Sequence, residues 1–205
     1  MPVIVVANPK GGVGKSTLST NVAGYFASQG KAVMLGDIDR QQSARTWLGL
    51  RPPTAAGISA WDTVDDARVR TPKGTTHVVL DTPAGLHGKR LDEVLKIATH
   101  VLVPLQPSIF DIHATHDFLV RLAEHKRSEK LRVGLVGMRS RDGTISADQL
   151  KTFLGQQSFP VVTHLRDTQN YVHLAAHGLT LWDVAPSRVE RDLEQWRPLT
   201  QWIEA

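Results

Sequence analysis

The sequence predicts an α/β fold, a doubly wound and mostly parallel sheet flanked by helices. Short β-branched or apolar runs alternate with longer amphipathic stretches, which is the pattern of strand–helix–strand units that bury a sheet under helices on both faces. A glycine-rich segment, Gly11-Gly12-Val13-Gly14, stands between the first apolar run and the first helical stretch, where such a fold turns from strand to helix. The 205 residues suit one domain with a substantial core, so residues 1–205 are read as a single unit.

In chain order, strands are expected at Val3 to Ala7, Ala32 to Asp37, His77 to Asp81, His100 to Leu105, Arg132 to Gly137 and Pro160 to Thr163. Helices are expected at Leu18 to Ser28, Lys89 to Ala98 and Asp111 to His125, then at Ser146 to Gly155 with Ser146 as its cap, and last from Ser187 towards Ile203. Arg51 to Gly57, rich in proline and alanine, reads as a surface connection, since both flanks belong to one alternating pattern.

No stretch is long and apolar enough to span a bilayer, and a strand occupies the place where a signal peptide would need a basic segment and an apolar core. A cytoplasmic location is the expectation. The absence of cysteine excludes disulfides and thiolate-held clusters. A net charge of +4 favours an anionic partner, for which nucleotide, nucleic acid or lipid headgroups would all serve.

Residues 8–17 read Asn-Pro-Lys-Gly-Gly-Val-Gly-Lys-Ser-Thr. In the phosphate-loop pattern GxxxxGK[ST], glycines let backbone N–H groups turn around phosphates, the lysine reaches the terminal phosphates and the next hydroxyl binds magnesium. Gly14, Lys15 and Ser16 fit, while the leading glycine falls at Pro9 and a second lysine, Lys10, stands beside that departure. Such a loop needs acidic strand ends to hold magnesium and to place water. Val78-Val79-Leu80-Asp81 is apolar then acidic, and Asp37 and Asp39 end the second strand.

With its two lysines, the KGGxGK[ST] loop resembles the deviant Walker A motif of the ParA/MinD family of P-loop NTPases, and the segment Asp37-Ile38-Asp39-Arg40-Gln41-Gln42 is similar to the family's DxDPQ, with Arg40 in place of proline. The resemblance implies a magnesium-dependent ATPase that binds ATP through Lys10, Gly11, Gly12, Val13, Gly14, Lys15, Ser16 and Thr17. Catalysis would rest on Lys10, Lys15 and Asp39, with Lys10 reaching the partner's nucleotide in a sandwich homodimer and Asp39 orienting water. Ser16, Asp37 and Asp81 would hold Mg2+. The lack of cysteine sets aside the cluster-bridging relatives.

The resemblance further implies a short ParA-type protein without an N-terminal helix-turn-helix, which binds DNA without sequence preference, associates with the nucleoid and answers to an adaptor protein that stimulates hydrolysis. Plasmid, chromosome and protein-cluster cargoes are all open. Candidate DNA contacts are Arg166, Lys151, Arg139, Arg188 and Arg191. Two other readings stay open: a MinD-like membrane-associated positioning ATPase, for which a membrane is not the expected partner here, and an ATP-dependent biosynthetic enzyme of the dethiobiotin synthetase type.

Three features admit two meanings. Pro104 and Pro107 resemble a family segment near the dimer interface, or simply stiffen a loop. His113 and His116, one helical turn apart, suit either a metal or, as expected here, a solvated pair. Val189, Leu193, Trp196, Leu199 and Ile203 form an apolar stripe, which means a core-packing helix or a membrane-surface one, interrupted by Pro198.

Overall fold

The computed structural model describes residues 1–61, 73–141 and 143–205, with residues 109–113 described by their backbone alone. Its strands are β1 (Val3–Val6), β2 (Val33–Asp37), β3 (Ile58–Trp61), β4 (His77–Asp81), β5 (His100–Leu105), β6 (Arg132–Ser140) and β7 (Val161–Arg166). They form one seven-stranded sheet in the order β3-β2-β4-β1-β5-β6-β7. Every pairing is parallel. Strands of a parallel sheet are covered on both faces, which is why β1, β2 and β5 read as almost unbroken apolar runs and are buried throughout.

The helices are α1 (Lys15–Ser28), α2 (Ser43–Leu50), α3 (Gly88–Ile97), α4 (Ile109–Glu124), α5 (Ile145–Gly155), α6 (Gln169–Ala175) and α7 (Glu190–Glu204). Two cores sandwich the sheet. On one face Leu91 and Leu95 of α3, Leu119 and Leu122 of α4 and Leu150 and Leu154 of α5 pack together. On the other, Leu18 and Phe26 of α1, Trp47 of α2 and Trp196, Leu199 and Ile203 of α7 do so. The connection from β1 runs through α1 to β2 on one side and the connection from β4 runs through α3 to β5 on the other, so the adjacent C-terminal ends of β1 and β4 mark the topological switch point where such sheets bind ligands.

Several expectations need correction. The sheet has a seventh strand, β3, and the chain has two helices, α2 and α6, beyond those expected from the apolar pattern. β3 buries only Trp61 and α2 only Ala44 and Trp47, so neither offers a clear apolar period. The cap of α5 is Thr144, whose hydroxyl accepts from the Ala147 amide at 3.3 Å, and Ser146 stands exposed inside the helix. α7 runs through Pro198 without a break. Pro198 and Glu194, the residue four positions back whose carbonyl loses its donor, both face solvent.

α7 is fixed by aromatic contacts. Trp196, 1% exposed, donates its indole N–H to the Tyr171 hydroxyl at 2.9 Å. It meets Trp182 edge-on, with ring centroids 5.0 Å apart, and Trp182 lies 5.4 Å from Tyr25 of α1. Trp196→Ala should therefore destabilise the fold by about 3–5 kcal/mol in urea denaturation. A loss below about 1 kcal/mol would mean that α7 is peripheral to the core.

Candidate functional site

The glycine-rich loop leaves the buried end of β1 at Asn8. The Asn8 side chain donates to the Pro104 carbonyl at 2.8 Å and the Thr115 hydroxyl at 3.0 Å, and accepts from the Lys10 amide at 2.9 Å. One buried amide thus ties the loop's entry to β5 and α4. Gly12 and Gly14 adopt φ of 76° and 94°, the left-handed region that glycine enters without a Cβ penalty. The Gln106 side chain donates to the Gly12 carbonyl at 2.6 Å and fixes the tip of the loop from the segment after β5. Val13 is buried, and Gly11 and Gly12 are exposed.

Lys15 opens α1 and is buried, and its ammonium donates to the Lys10 carbonyl at 2.6 Å. Burial lowers its pKa, against the pull of Asp81 and Asp39. Lys10 itself is half-buried. Thr17 is half-buried one residue beyond Ser16, and its carbonyl accepts from Asn21.

Asp81, at the end of β4, is 1% exposed. Its two oxygens accept from the Ser16 hydroxyl at 2.6 Å and the Ser19 hydroxyl at 3.1 Å. Burial pushes its pKa up to about 6, the Ser16 hydrogen bond opposing and the neighbouring Asp37 charge reinforcing the rise. Asp37 is the register partner of Asp81 on β2. One Asp37 oxygen accepts from the Asp39 amide at 2.9 Å, and the other accepts from the amides of Ala44 and Arg45 at 2.8 and 3.2 Å, so that it caps α2 from outside the helix.

Asp39 is half-buried and accepts from the Gln41 amide at 3.1 Å. The turn it opens closes on Gln42, whose φ of 49° is left-handed for a residue with a Cβ. Arg40 is exposed at the tip of that turn. The segment after β4 is tied back to the loop: Thr82 donates to the Val6 carbonyl and the Gly85 amide to the Pro9 carbonyl, each at 2.8 Å.

These donors suit a nucleoside triphosphate with magnesium. Backbone amides freed by left-handed glycines and an inward ammonium answer to phosphate. A hydroxyl set 2.6 Å from a buried carboxylate that lacks full charge compensation answers to a divalent cation. Lys10, Lys15, Ser16, Asp37, Asp39 and Asp81 are thus brought to one end of the sheet, whereas the roles of Asn8, Ser19 and Gln106 do not show in the sequence pattern. Only the Asn-Pro opening of the loop and the Pro-Leu-Gln-Pro segment hinted at them.

The candidate DNA contacts are not brought together. Lys151 is exposed on α5, on one face of the sheet, and Arg188 and Arg191 are exposed beside α7 on the other. Arg139 is exposed at the bulged end of β6 with φ of 49°. The Arg166 Nε donates to fully buried Asp192 at 2.5 Å, and Asn170 donates to the other Asp192 oxygen at 2.6 Å. That arginine is a structural tie between β7 and α7. His116 is exposed, 3.6 Å from Asp117, and His113 lies in the part of α4 described by backbone alone. Among the described residues no group of three or more histidine or carboxylate side chains forms a metal cluster.

Asp81 makes stability depend on pH. A carboxyl whose folded pKa of about 6 exceeds its unfolded value of 3.8 favours the fold fully below pH 3.8 and loses that contribution as pH rises through 6. The two values differ by about 3 kcal/mol at pH 8. Asp81→Asn should therefore stabilise the nucleotide-free protein by about 1–3 kcal/mol at pH 8 and by little at pH 4, while losing magnesium-dependent nucleotide binding. Paired denaturation curves at the two pH values check this. A variant less stable than the parent at pH 8 would mean that the Asp81 carboxylate is fully compensated.

Residues 4–182 match the family model described as the CobQ/CobB/MinD/ParA nucleotide binding domain. The chain is 30% identical over 169 residues to the chromosome-partitioning ATPase Soj of Thermus thermophilus, an alignment covering 66% of this chain and 67% of that protein. It is 34% identical over 113 residues to the maintenance of carboxysome distribution protein A of Gloeobacter kilaueensis, covering 54% of this chain and 51% of that one. The chain thus spans about two thirds and about half of the lengths of these two relatives. Among solved structures, the cell division ATPase MinD of Pyrococcus furiosus superposes with a TM-score of 0.73 at 17% identity, over 99% of this chain and 98% of that one, a likeness of fold. The chain belongs to the CobQ/CobB/MinD/ParA nucleotide-binding family and is an ATP-binding P-loop ATPase of its ParA/MinD type.

Proposed function

We propose that residues 1–205 act as one ATPase domain of a ParA-type positioning switch: with ATP the chain forms a sandwich homodimer, the dimer binds DNA without sequence preference, and an adaptor protein stimulates hydrolysis and release. The observation that carries this reading is the division of labour between the two lysines. Lys15 is buried and turned into its own loop, whereas Lys10 is only half-buried, so that part of it is open to a second subunit. The naming of the Soj and carboxysome-distribution relatives supports partitioning or positioning as the purpose. A cytoplasmic, nucleoid-associated location follows from that reading.

Each residue then has a task. Lys15 and the loop amides neutralise the phosphates of the chain's own nucleotide. Ser16 and Asp81 hold the magnesium ion, with Asp37 supporting them and fixing α2. Asp39 orients a water by accepting its proton's hydrogen bond. Bound ATP with Mg2+ supplies a terminal phosphoryl group for transfer to water. Lys10 places a cation on the partner's phosphates, so that assembly and hydrolysis depend on it.

The apolar stripe of α7 weighs against a membrane-surface role. Val189, Trp196, Leu199 and Ile203 all face the core, so that face is already covered. Among the described residues no helix is long and apolar enough to cross a membrane. Arg188 and Arg191, both exposed and three positions apart at the start of α7, are favoured as DNA contacts over Arg166, which is held by Asp192.

Lys15→Ala should abolish tight ATP binding, whereas Lys10→Ala should keep ATP affinity and lose ATP-dependent dimerisation and hydrolysis. Isothermal titration, sedimentation velocity and phosphate release separate these effects. A Lys10→Ala protein that dimerises with ATP as the parent does would remove the two-lysine mechanism.

DNA binding should require ATP and should fall with salt, by about 0.9 in log affinity per log salt for each phosphate neutralised. Removing Arg188 or Arg191 should flatten the slope by about two, one contact per subunit. Equal binding with ATP, ADP and no nucleotide, or binding only to anionic liposomes, would contradict the DNA reading.

A further inference from the structure

The two helices that start at the nucleotide site both meet the same short segment of chain, α1 by its middle and α2 by its far end. α1 leaves the glycine-rich loop, and α2 is held at its N-terminus by Asp37. At the far end of α2, Arg51 turns inward. Its Nη1 and Nη2 donate to the two carboxylate oxygens of Asp183, each at 2.9 Å, its Nη1 also donates to the Gly178 carbonyl and its Nε to the Ala56 carbonyl. The Arg51 and Asp183 side chains are 6% and 5% exposed. A fork-to-fork pair in a buried setting fixes orientation as well as distance.

The segment 178–183 is keyed to α1 as well. The Leu181 amide donates to Asn21 at 3.2 Å, and Thr180 fills the space beside Gly24, where a Cβ would lie 2.4 Å from its hydroxyl oxygen. Asp183 also accepts from the Thr180 amide and hydroxyl, at 2.8 and 2.6 Å. Gly178 has φ of 66°, and a Cβ there would sit 2.4 Å from the Arg51 backbone nitrogen. Contacts this close leave the segment no room to slide independently of α2. Beyond it lie Arg188, in a 3-10 turn, and Arg191, in the first turn of α7.

We propose that the buried Arg51–Asp183 pair is a positioning link, through which α2 and the Asp37–Gln42 loop set the placement of the C-terminal segment bearing Arg188 and Arg191. The use of this link in gating DNA binding rests on the function proposed above. α2 is short, rigid and fastened at both ends, so a change in the turn at Gln42 on nucleotide binding either carries Arg51 with it or breaks a buried ion pair. Movement of the helix is therefore transmitted to residues 178–191 without any contact between those residues and nucleotide.

The test is hydrogen–deuterium exchange of the full chain with and without Mg2+ and a non-hydrolysable ATP analogue. In the parent, protection should rise in residues 8–17 and 37–45 and also in residues 178–191. Arg51→Lys keeps a cation but loses the fork. It should retain the response at the loop and lose it at 178–191, and ATP-dependent enhancement of DNA binding should fall about tenfold with ATP affinity unchanged. If Arg51→Lys does not fold, Arg51→Met with Asp183→Asn removes both charges, so that neither is left buried alone, and should give the same separation. A parent with no response at 178–191, or a folded variant with the parent's response there, would overturn the link. Loss of DNA binding by the parent with the exchange pattern intact would instead reject the DNA reading and leave the link standing.

Discussion

Two aspartates on neighbouring strands, Asp37 and Asp81, share one register position at the C-terminal edge of the sheet, and both are buried. Buried carboxylates must find hydrogen-bond partners or lose their charge. Asp81 takes hydroxyls from α1, and Asp37 takes amides from the Asp39 turn and the start of α2. The demand for partners therefore fastens both helices to the strand ends, and the geometry of the phosphate loop follows from where α1 is fastened. The solutions differ. Asp37 is met by three backbone donors, whereas Asp81 is left short of compensation, and that shortfall is what a divalent cation would relieve.

The site's positive charges are arranged in the same graded way. Lys15 is buried and folded onto the Lys10 carbonyl, a contact that a phosphate oxygen would displace at little cost because the ammonium is already desolvated. Arg90 donates to the Ile38 carbonyl from α3 and braces the Asp39 turn from outside. The turn itself contains a left-handed Gln42, a strained conformation that persists because Asp37 and α2 determine it on either side. Stability and function pull in opposite directions here, since the carboxylate that would bind the cation is the one whose burial the fold tolerates least.

Much of this was legible in the sequence. The alternation of runs gave the parallel architecture, and the spacing of Lys10, Gly14, Lys15 and Ser16 located the loop, because strand-to-helix turns at phosphates leave a local record. What escaped is non-local or lightly buried. Asn8 and Gln106 act through partners about a hundred positions away, and the Arg166–Asp192 pair spans 26 positions, so an arginine that reads as a surface cation is a structural tie. α2 and β3 bury too few side chains to show a period. Pro198 reads as a break and is not one: α7 continues through it at a position where both Pro198 and Glu194 are exposed.

The burial of the α7 stripe narrows what the C-terminal third can do. Its tryptophans and leucines close the core against α1, and its outer surface offers only scattered charge. Under the function proposed above, recognition by that surface would rest on charge, while the chemistry belongs to the strand ends. All of these roles depend on the loop and the two strand-end carboxylates forming a single magnesium-dependent ATP site. Isothermal titration of the parent chain with a non-hydrolysable ATP analogue, in Mg2+ and in EDTA, tests it directly. One nucleotide per chain is expected in Mg2+, with binding at least about tenfold weaker in EDTA. Equal affinity in the two buffers, or no binding in Mg2+, would contradict it.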